Sequence, residues 1–303
     1  MAIPTATIPG SRPAAASRGS GKAGYLFVAP FVILFMLFGV IPVLYSLYLA
    51  FTSRSGGFAG LSNFTKAATD FRFLPAVGHV AAFVALWLLL LSVLVVTLTL
   101  VMNRLARRRT KTFIRFAYYI PGALAGASSV LLWLFLLDPT VSPVAWVLRA
   151  TGSTTFQQVV SPGHLPVIFA VIAFWTGAGG WILVLYGALN TIPTEVLEAA
   201  KVDGCSPLRS ALQIELPMIR KSVVYMLILS LAAGTQLFVE PQLVSQASFG
   251  VVPSDYSVNQ LAYTYAFGQN DFNGSAAISI MLLVVAALAA GLFVARGRLF
   301  ETD

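Results

Sequence analysis

The sequence predicts an all-α, polytopic membrane protein with six transmembrane helices. Three observations carry that expectation. Of its 303 residues, 58% are hydrophobic and only 10% charged, against the roughly 25% charged residues of soluble domains. The apolar residues gather in runs near the ~20 residues that cross a bilayer. The basic residues collect in alternate connections between those runs.

Residues 1–24 are rich in Pro, Ala, Ser and Gly, with Arg12, Arg18 and Lys22 and no acid. Such a composition builds no core and predicts a disordered N-terminal tail. The apolar run that follows, from Tyr25 to Phe51, outlasts the about 7–15 residues of a signal-peptide core, so it reads as a retained anchor. Six spans follow in order: 25–51, 77–103, 112–137, 164–189, 222–244 and 272–295. Each should be a helix, because lipid offers no partner for open backbone groups. Residues 25–298 thus form one transmembrane domain, with 299–303 a short C-terminal tail. Pro30, Pro42, Pro121 and the run Gly177-Ala178-Gly179-Gly180 predict kinks or close helix contacts. Glu240-Pro241 interrupts the apolar pattern at the far end of the fifth span.

Charge placement sets the orientation. Arg12, Arg18 and Lys22 precede the first span, and Arg104, Arg107, Arg108, Arg109, Lys111 and Arg115 surround the start of the third. Lys201, Arg209, Arg220 and Lys221 precede the fifth, and Arg296 and Arg298 follow the sixth. Only Arg54, Lys66, Arg72 and Arg149 remain for the other face. The positive-inside rule therefore predicts cytoplasmic termini. The net charge of +8 is then explained by orientation and by contact with anionic membrane lipids, and no nucleic-acid partner is expected. One cysteine, Cys205, excludes an internal disulfide or a multi-cysteine metal site. His79 and His164 stand alone at the starts of apolar runs and read as interfacial side chains, so no metal site and no catalytic residue is expected.

The segment 190–221 is too polar to cross a membrane and too regular for a slack loop. It reads as two short helices about a glycine. Thr194 can cap the first, Glu195 suits its positive end, and Gly204 supplies the left-handed residue that ends it. Ser206 is the second cap, with Pro207 at the first helical position, and Pro217 closes the segment.

Glu198-Ala199-Ala200, then Lys201-Val202-Asp203, Gly204, nine residues and Ile214-Glu215-Leu216-Pro217 resembles the cytoplasmic EAA signature of permease subunits of binding-protein-dependent ABC importers. Phe27-Val28-Ala29-Pro30, Ile41-Pro42, Gly60-Leu61-Ser62-Asn63-Phe64 and Tyr119-Ile120-Pro121 resemble the carbohydrate branch of that family, the maltose and glycerol-phosphate type. One departure is Arg220-Lys221, where the family often has proline. The resemblance implies the type I importer permease fold, with 190–221 as a coupling loop between the fourth and fifth helices, and a plasma-membrane (inner-membrane) location. It also implies an ATPase-coupling set of Glu198, Ala199, Ala200, Asp203, Gly204, Ile214, Leu216 and Pro217. Its implied partners are a second permease subunit, a dimer of ATP-binding cassette ATPase subunits and an extracytoplasmic substrate-binding protein. The chain has no Gly-x-x-x-x-Gly-Lys-Ser/Thr phosphate loop, so ATP and Mg are expected on the ATPase chain and no cofactor on this one.

Polar and aromatic residues within spans are costly to bury in lipid and mark a pathway. The candidates are Trp133, Trp175, Trp181, Gln236, Glu240 and Gln242, with Glu240 the only carboxylate inside the apolar spans. Amides and carboxylates suit sugar hydroxyls, and aromatic faces suit sugar C–H surfaces. A non-sugar solute such as a glycerol-phosphate ester or amino acid is the alternative, and an ion-coupled secondary transporter a more distant one. Intramembrane proteolysis lacks its Ser/His, HExxH or paired-aspartate signatures.

Overall fold

The computed structural model describes residues 20–297 apart from 106 and 125. Residues 1–19 of the tail expected at 1–24, and the tail expected at 299–303, lie outside the described residues. The chain divides into two compact units, residues 1–45 and 46–303. In the first, a helix begins at Ser20, inside the segment expected to be disordered, and runs past Pro30 to Phe35. It then passes through a π-type turn at Met36–Val40 into Ile41–Ala50. The wide turn precedes Pro42, whose ring and missing N–H disturb the backbone bonds one turn earlier.

We label the first span Gly24–Ala50 α1. After it come α2 (Ser62–Ala68), α3 (Phe73–Arg104), α4 (Arg109–Ala123) and α5 (Ala127–Leu136). The short helices α6 (Ala145–Ala150) and α7 (Phe156–Val159) lead to α8 (Leu165–Leu189). Then follow α9 (Thr194–Val202), α10 (Pro207–Met218), α11 (Arg220–Gly234), α12 (Val239–Ala247), α13 (Val258–Tyr263) and α14 (Phe272–Gly297). No strand occurs among the described residues beyond an isolated Thr52–Phe58 bridge.

Four helices, α1, α3, α8 and α14, are long and apolar enough to cross a membrane singly. The other two expected spans differ from straight helices. The third is broken between α4 and α5 by a 103° bend. The break falls at Gly126, with φ 73° and ψ −146°, a conformation essentially reserved for glycine. It does not fall at Pro121, which sits in the last turn of α4. The fifth ends at Gly234, ten residues short of the expected limit, and Glu240, Gln236 and Gln242 lie beyond it.

The core centres on α3 and α8. Phe83, Val84, Trp87 and Leu91 are buried with Phe169, Ile172, Ile182 and Leu185. The glycine run in α8 behaves as its composition predicts. A Cβ at Gly179 would fall on the carbonyl of Tyr118, and one at Gly122 would stand 3.0 Å from the carbonyl of Thr176. Within lipid, helices gain from close van der Waals packing rather than from burial, so small residues set the approach of α4 to α8.

At one end of α3, charges from distant segments close on one another. Asp70 accepts from Arg72 Nε at 3.0 Å and Nη2 at 2.7 Å, and from the Tyr265 hydroxyl at 2.7 Å. Arg72 also approaches Asp255 at 3.8 Å. Asp271 is nearly buried and meets Lys66 at 2.6 Å and Arg54 at 3.7 Å. The oxygen facing Arg54 also accepts from the Gly274 N–H, and a Cβ at Gly274 would collide with Tyr265 and Asp271. The hydrogen bonds from Arg72 hold the Asp70 carboxyl well below the usual range. Burial opposes ionisation of Asp271, but Lys66, the Gly274 N–H and Arg54 outweigh it and lower its pKa. Burial, reinforced by the bond to Asp70, pushes the Tyr265 phenol up to about 12. His79 stacks on Tyr256, ring centroids 4.2 Å apart, and His164 bonds to Ser161 and the Val159 carbonyl. No cluster with metal-holding composition occurs among the described residues.

Candidate functional site

The other end of α3 carries the 190–221 loop. In α9, Glu195, Glu198 and Ala199 are exposed while Ala200 is buried. Successive helical residues turn by about 100°, so Ala199 and Ala200 cannot share one face. The pair therefore divides its work, with Ala199 on the open surface and Ala200 buried. Thr194 does not cap α9. Pro193 holds the cap position, with no side-chain cap bond, and Thr194 is already the first helical residue.

The far end of α9 is a complete Schellman turn. Gly204 has φ +73°, its N–H donates to the Lys201 carbonyl at 3.1 Å, and the Cys205 N–H donates to Ala200 at 2.9 Å. The left-handed residue lets both orphan carbonyls find donors. Asp203 stands exposed just before the turn. Ser206 then caps α10, its hydroxyl accepting from the Arg209 N–H, with Pro207 first in the helix as its fixed φ favours. Within α10 a π-type turn covers Ala211–Glu215. Ile214 and Leu216 are half-buried and Pro217 exposed. Pro217 does not close the segment. The chain continues to Ile219, where φ −94° and ψ 7° mark a 67° bend into α11.

The residue that sequence reasoning passed over is Glu215. It occupies the unspecified position of Ile-x-Leu-Pro and is only 3% exposed. Its carboxylate accepts from Arg104 at 2.5 Å, Ser210 at 3.2 Å and Asn103 at 3.4 Å. The Lys111 ammonium in turn donates to the Asn103 carbonyl at 2.9 Å, drawing in α4. A buried carboxylate requires such partners, since an unpaired one would lose its charge or unfold the site. The only local signal was an acid placed between Ile214 and Leu216 in an apolar stretch. Beyond nearby Ser210, its partners Arg104 and Asn103 lie 111 and 112 residues away, outside any local pattern.

The pathway candidates separate into groups. Trp133 in α5 meets Trp175 in α8 edge-on, centroids 5.8 Å apart, and the buried Trp133 Nε1 has no hydrogen-bond partner among the described residues. Helix α12, which carries Glu240 and Gln242, packs against α5. Glu240 is half-buried, while the Gln242 amide oxygen accepts from Gln260 at 3.0 Å. Gln236 is exposed in the connection between α11 and α12. Trp181 stands apart from these and pairs with Tyr225 at 6.3 Å. The fold thus brings together Trp133, Trp175 and the helix of Glu240, and leaves Trp181 elsewhere.

Residues 89–298 match the family model described as the binding-protein-dependent transport system inner membrane component. The chain belongs to this family. It is a permease subunit of an ABC import system and not an enzyme, and the ATPase is a separate subunit. Among its relatives is the multiple sugar-binding transport system permease protein MsmF of Streptococcus mutans. The two are 26% identical over 92% of this chain and 96% of that one. The diacetylchitobiose uptake system permease protein NgcF of Streptomyces coelicolor is 28% identical over 98% of this chain and 91% of that one. The fold is that of a bacterial alginate ABC transporter chain, with a TM-score of 0.80 at 19% identity over 93% of this chain and 96% of that one. Ion-coupled secondary transport is thereby set aside.

Proposed function

We propose that this permease forms half of the membrane pathway of an ATP-driven importer of a sugar or sugar-like solute, driven through the 190–221 loop. The observation that supports it most strongly is the loop's geometry. Glu198 and Ala199 are presented on a short rigid helix, closed by Gly204 and anchored inward by Ala200 and Glu215. A carboxylate beside a methyl on a fixed platform suits a cleft with a basic side chain on another protein. In this reading the loop lies in the cytoplasm, with both termini, and seats in the ATPase dimer that binds ATP and Mg. A second permease completes the pathway, and an external binding protein delivers solute to the Asp70 end. One solved alginate transporter relative is in complex with an oligosaccharide-bound periplasmic protein, which favours that partner. Alternating access then follows from bundles rocking about a site near mid-membrane, for which Trp133, Trp175 and Glu240 are the candidate lining.

Relatives named for multiple sugars, arabinooligosaccharides and diacetylchitobiose favour a saccharide solute. Relatives named for sn-glycerol-3-phosphate, 27% identical, make the phosphate ester the second reading. Uptake of radiolabelled oligosaccharides and glycerol 3-phosphate by cells carrying the whole system decides between them. The same cells test the loop. Gly204→Ile forces a β-branched residue into a left-handed position, at a cost of about 1–2 kcal/mol or more. It should abolish uptake while the permease still inserts. Undiminished uptake would remove the loop from the mechanism.

A further inference from the structure

Glu215 and Arg104 sit where a force arriving at the loop must enter the bundle. The covalent route from α10 to α11 passes through Ile219, where the helix axis turns by 67°. Backbone hydrogen bonds run across this bend, Ile219 N–H to the Glu215 carbonyl and Val223 N–H to the Ile219 carbonyl, both at 3.1 Å, so this route joins α10 to α11 and not to α3. The loop is also joined covalently to α8 through residues 190–193; its link to α3 is the ion pair between Glu215 of α10 and Arg104 at the tip of α3. Cavities lie on both sides of it. One of about 450 Å³ is lined by Asn103, Arg104, Ala200, Cys205, Ser210 and Glu215. The other, about 270 Å³, separates Thr97, Leu100 and Val101 from Pro207, Leu208 and Leu212. Packing between loop and α3 is thus sparse, and the polar cluster spans the gap.

We infer that the Glu215–Arg104 pair is the strut that makes the loop and α3 move as one body, so that Glu215 is a positioning residue for coupling. This rests on the proposed docking of the loop to an ATPase. The pair joins α3 directly, and through Asn103 and Lys111 it reaches α4, the helix in backbone contact with α8 at Gly179. One displacement of the loop therefore reaches three helices of the core. Glu215 is buried away from the exposed face of the loop. Its loss should leave docking intact and disconnect it from the bundle.

The test uses the assembled transporter, both permeases with the ATPase dimer, in lipid nanodiscs. With Cys205→Ser as background, spin labels at Val93→Cys on α3 and Val202→Cys on α9 report the interval between helix and loop with and without ATP and vanadate. In the parent the interval should stay constant. In Glu215→Gln it should broaden or shift by about one helical turn, ~5 Å, while ATPase co-purification and basal ATP hydrolysis persist. Stimulation of hydrolysis by the binding protein should fall roughly tenfold, within the usual range of coupling between sites. Arg104→Gln must reproduce the result, and serves if Glu215→Gln does not assemble. A Glu215→Gln or Arg104→Gln complex with a parent-like interval and full stimulation would overturn the strut, as would a parent interval that itself shifts by a turn. Glu198→Lys run in parallel reports on docking alone. Retained ATPase there would refute the docking reading itself.

Discussion

The two ends of α3 handle charge in opposite ways. At the Asp70 end, Asp70, Asp255 and Asp271 are joined to Arg54, Lys66 and Arg72, and Tyr265 closes the set. These residues come from the segment after α1, from α2, from the loop before α3 and from both sides of α13. At the Arg104 end a single acid, Glu215, is paired inside, while Glu195, Glu198, Lys201 and Asp203 face outward. The difference teaches which end is fixed. Mutually satisfied charges clasp segments together, and outward charges on a capped platform await another surface. Of the four basic residues that break the inside-positive pattern, Arg54, Lys66 and Arg72 have acids beside them, and Arg149 donates to the Pro139 carbonyl.

The largest way to break this comparison is Asp70→Asn. It leaves the Arg72 guanidinium, largely buried, with only the distant Asp255, and weakens the acceptor of Tyr265. Breaking a buried pair costs about 3–5 kcal/mol, and the partial exposure of this one should reduce the loss to about 2–3 kcal/mol. Thermal denaturation in detergent should show it, with the coupling of ATP hydrolysis to transport unchanged in the protein that remains. A change in coupling without lost stability would show that the Asp70 end is not a passive clasp.

A smaller effect sharpens the contrast through pH. Asp70 and Asp271 both have folded values below the 3.8 of an unperturbed carboxyl. Their contribution is complete above that value and fades only as pH falls through the lowered ones. Tyr265 works in the other direction. Its folded value of about 12 lies above the unperturbed 10.0, so its hydroxyl favours the folded state progressively less as pH rises from 10.0 towards 12. Melting temperature should therefore be flat from about pH 5 to 9 and fall outside that window. A decline already between pH 7 and 5 would mean that the clasp carboxylates are not held as described.

Much of the loop was legible because its conformation is encoded within four residues of each signal. Gly204 ends a helix wherever a left-handed residue is needed, and Ser206-Pro207 starts the next. Thr194 and Pro217 misled for the same local reason. Pro193 reached the cap position first, and a π turn accommodated Pro217 until Ile219. The close contact at Gly179 was readable as a class, since small residues in a span invite a neighbour, though not which neighbour. The break at Gly126 was masked by Pro121, the more familiar signal. Glu215 and the clasp were beyond reach, because Glu215 meets Arg104 across 111 residues and Asp271 meets Lys66 across 205, and only the packed bundle brings them together. Trp133 and Trp175 were candidates by composition alone, and it was the fold that set them edge to edge and left Trp181 aside.

The central claim is that the loop at the Arg104 end is a socket for a separate ATPase. A photoreactive residue placed at 198 in the intact transporter tests it most directly, with the cross-linked chain identified by sequence. The account predicts capture of a chain carrying the Gly-x-x-x-x-Gly-Lys-Ser/Thr phosphate loop, with no such capture from a probe at Phe71 at the other end. Capture of lipid alone from 198, or of the same ATPase from both positions, would contradict it.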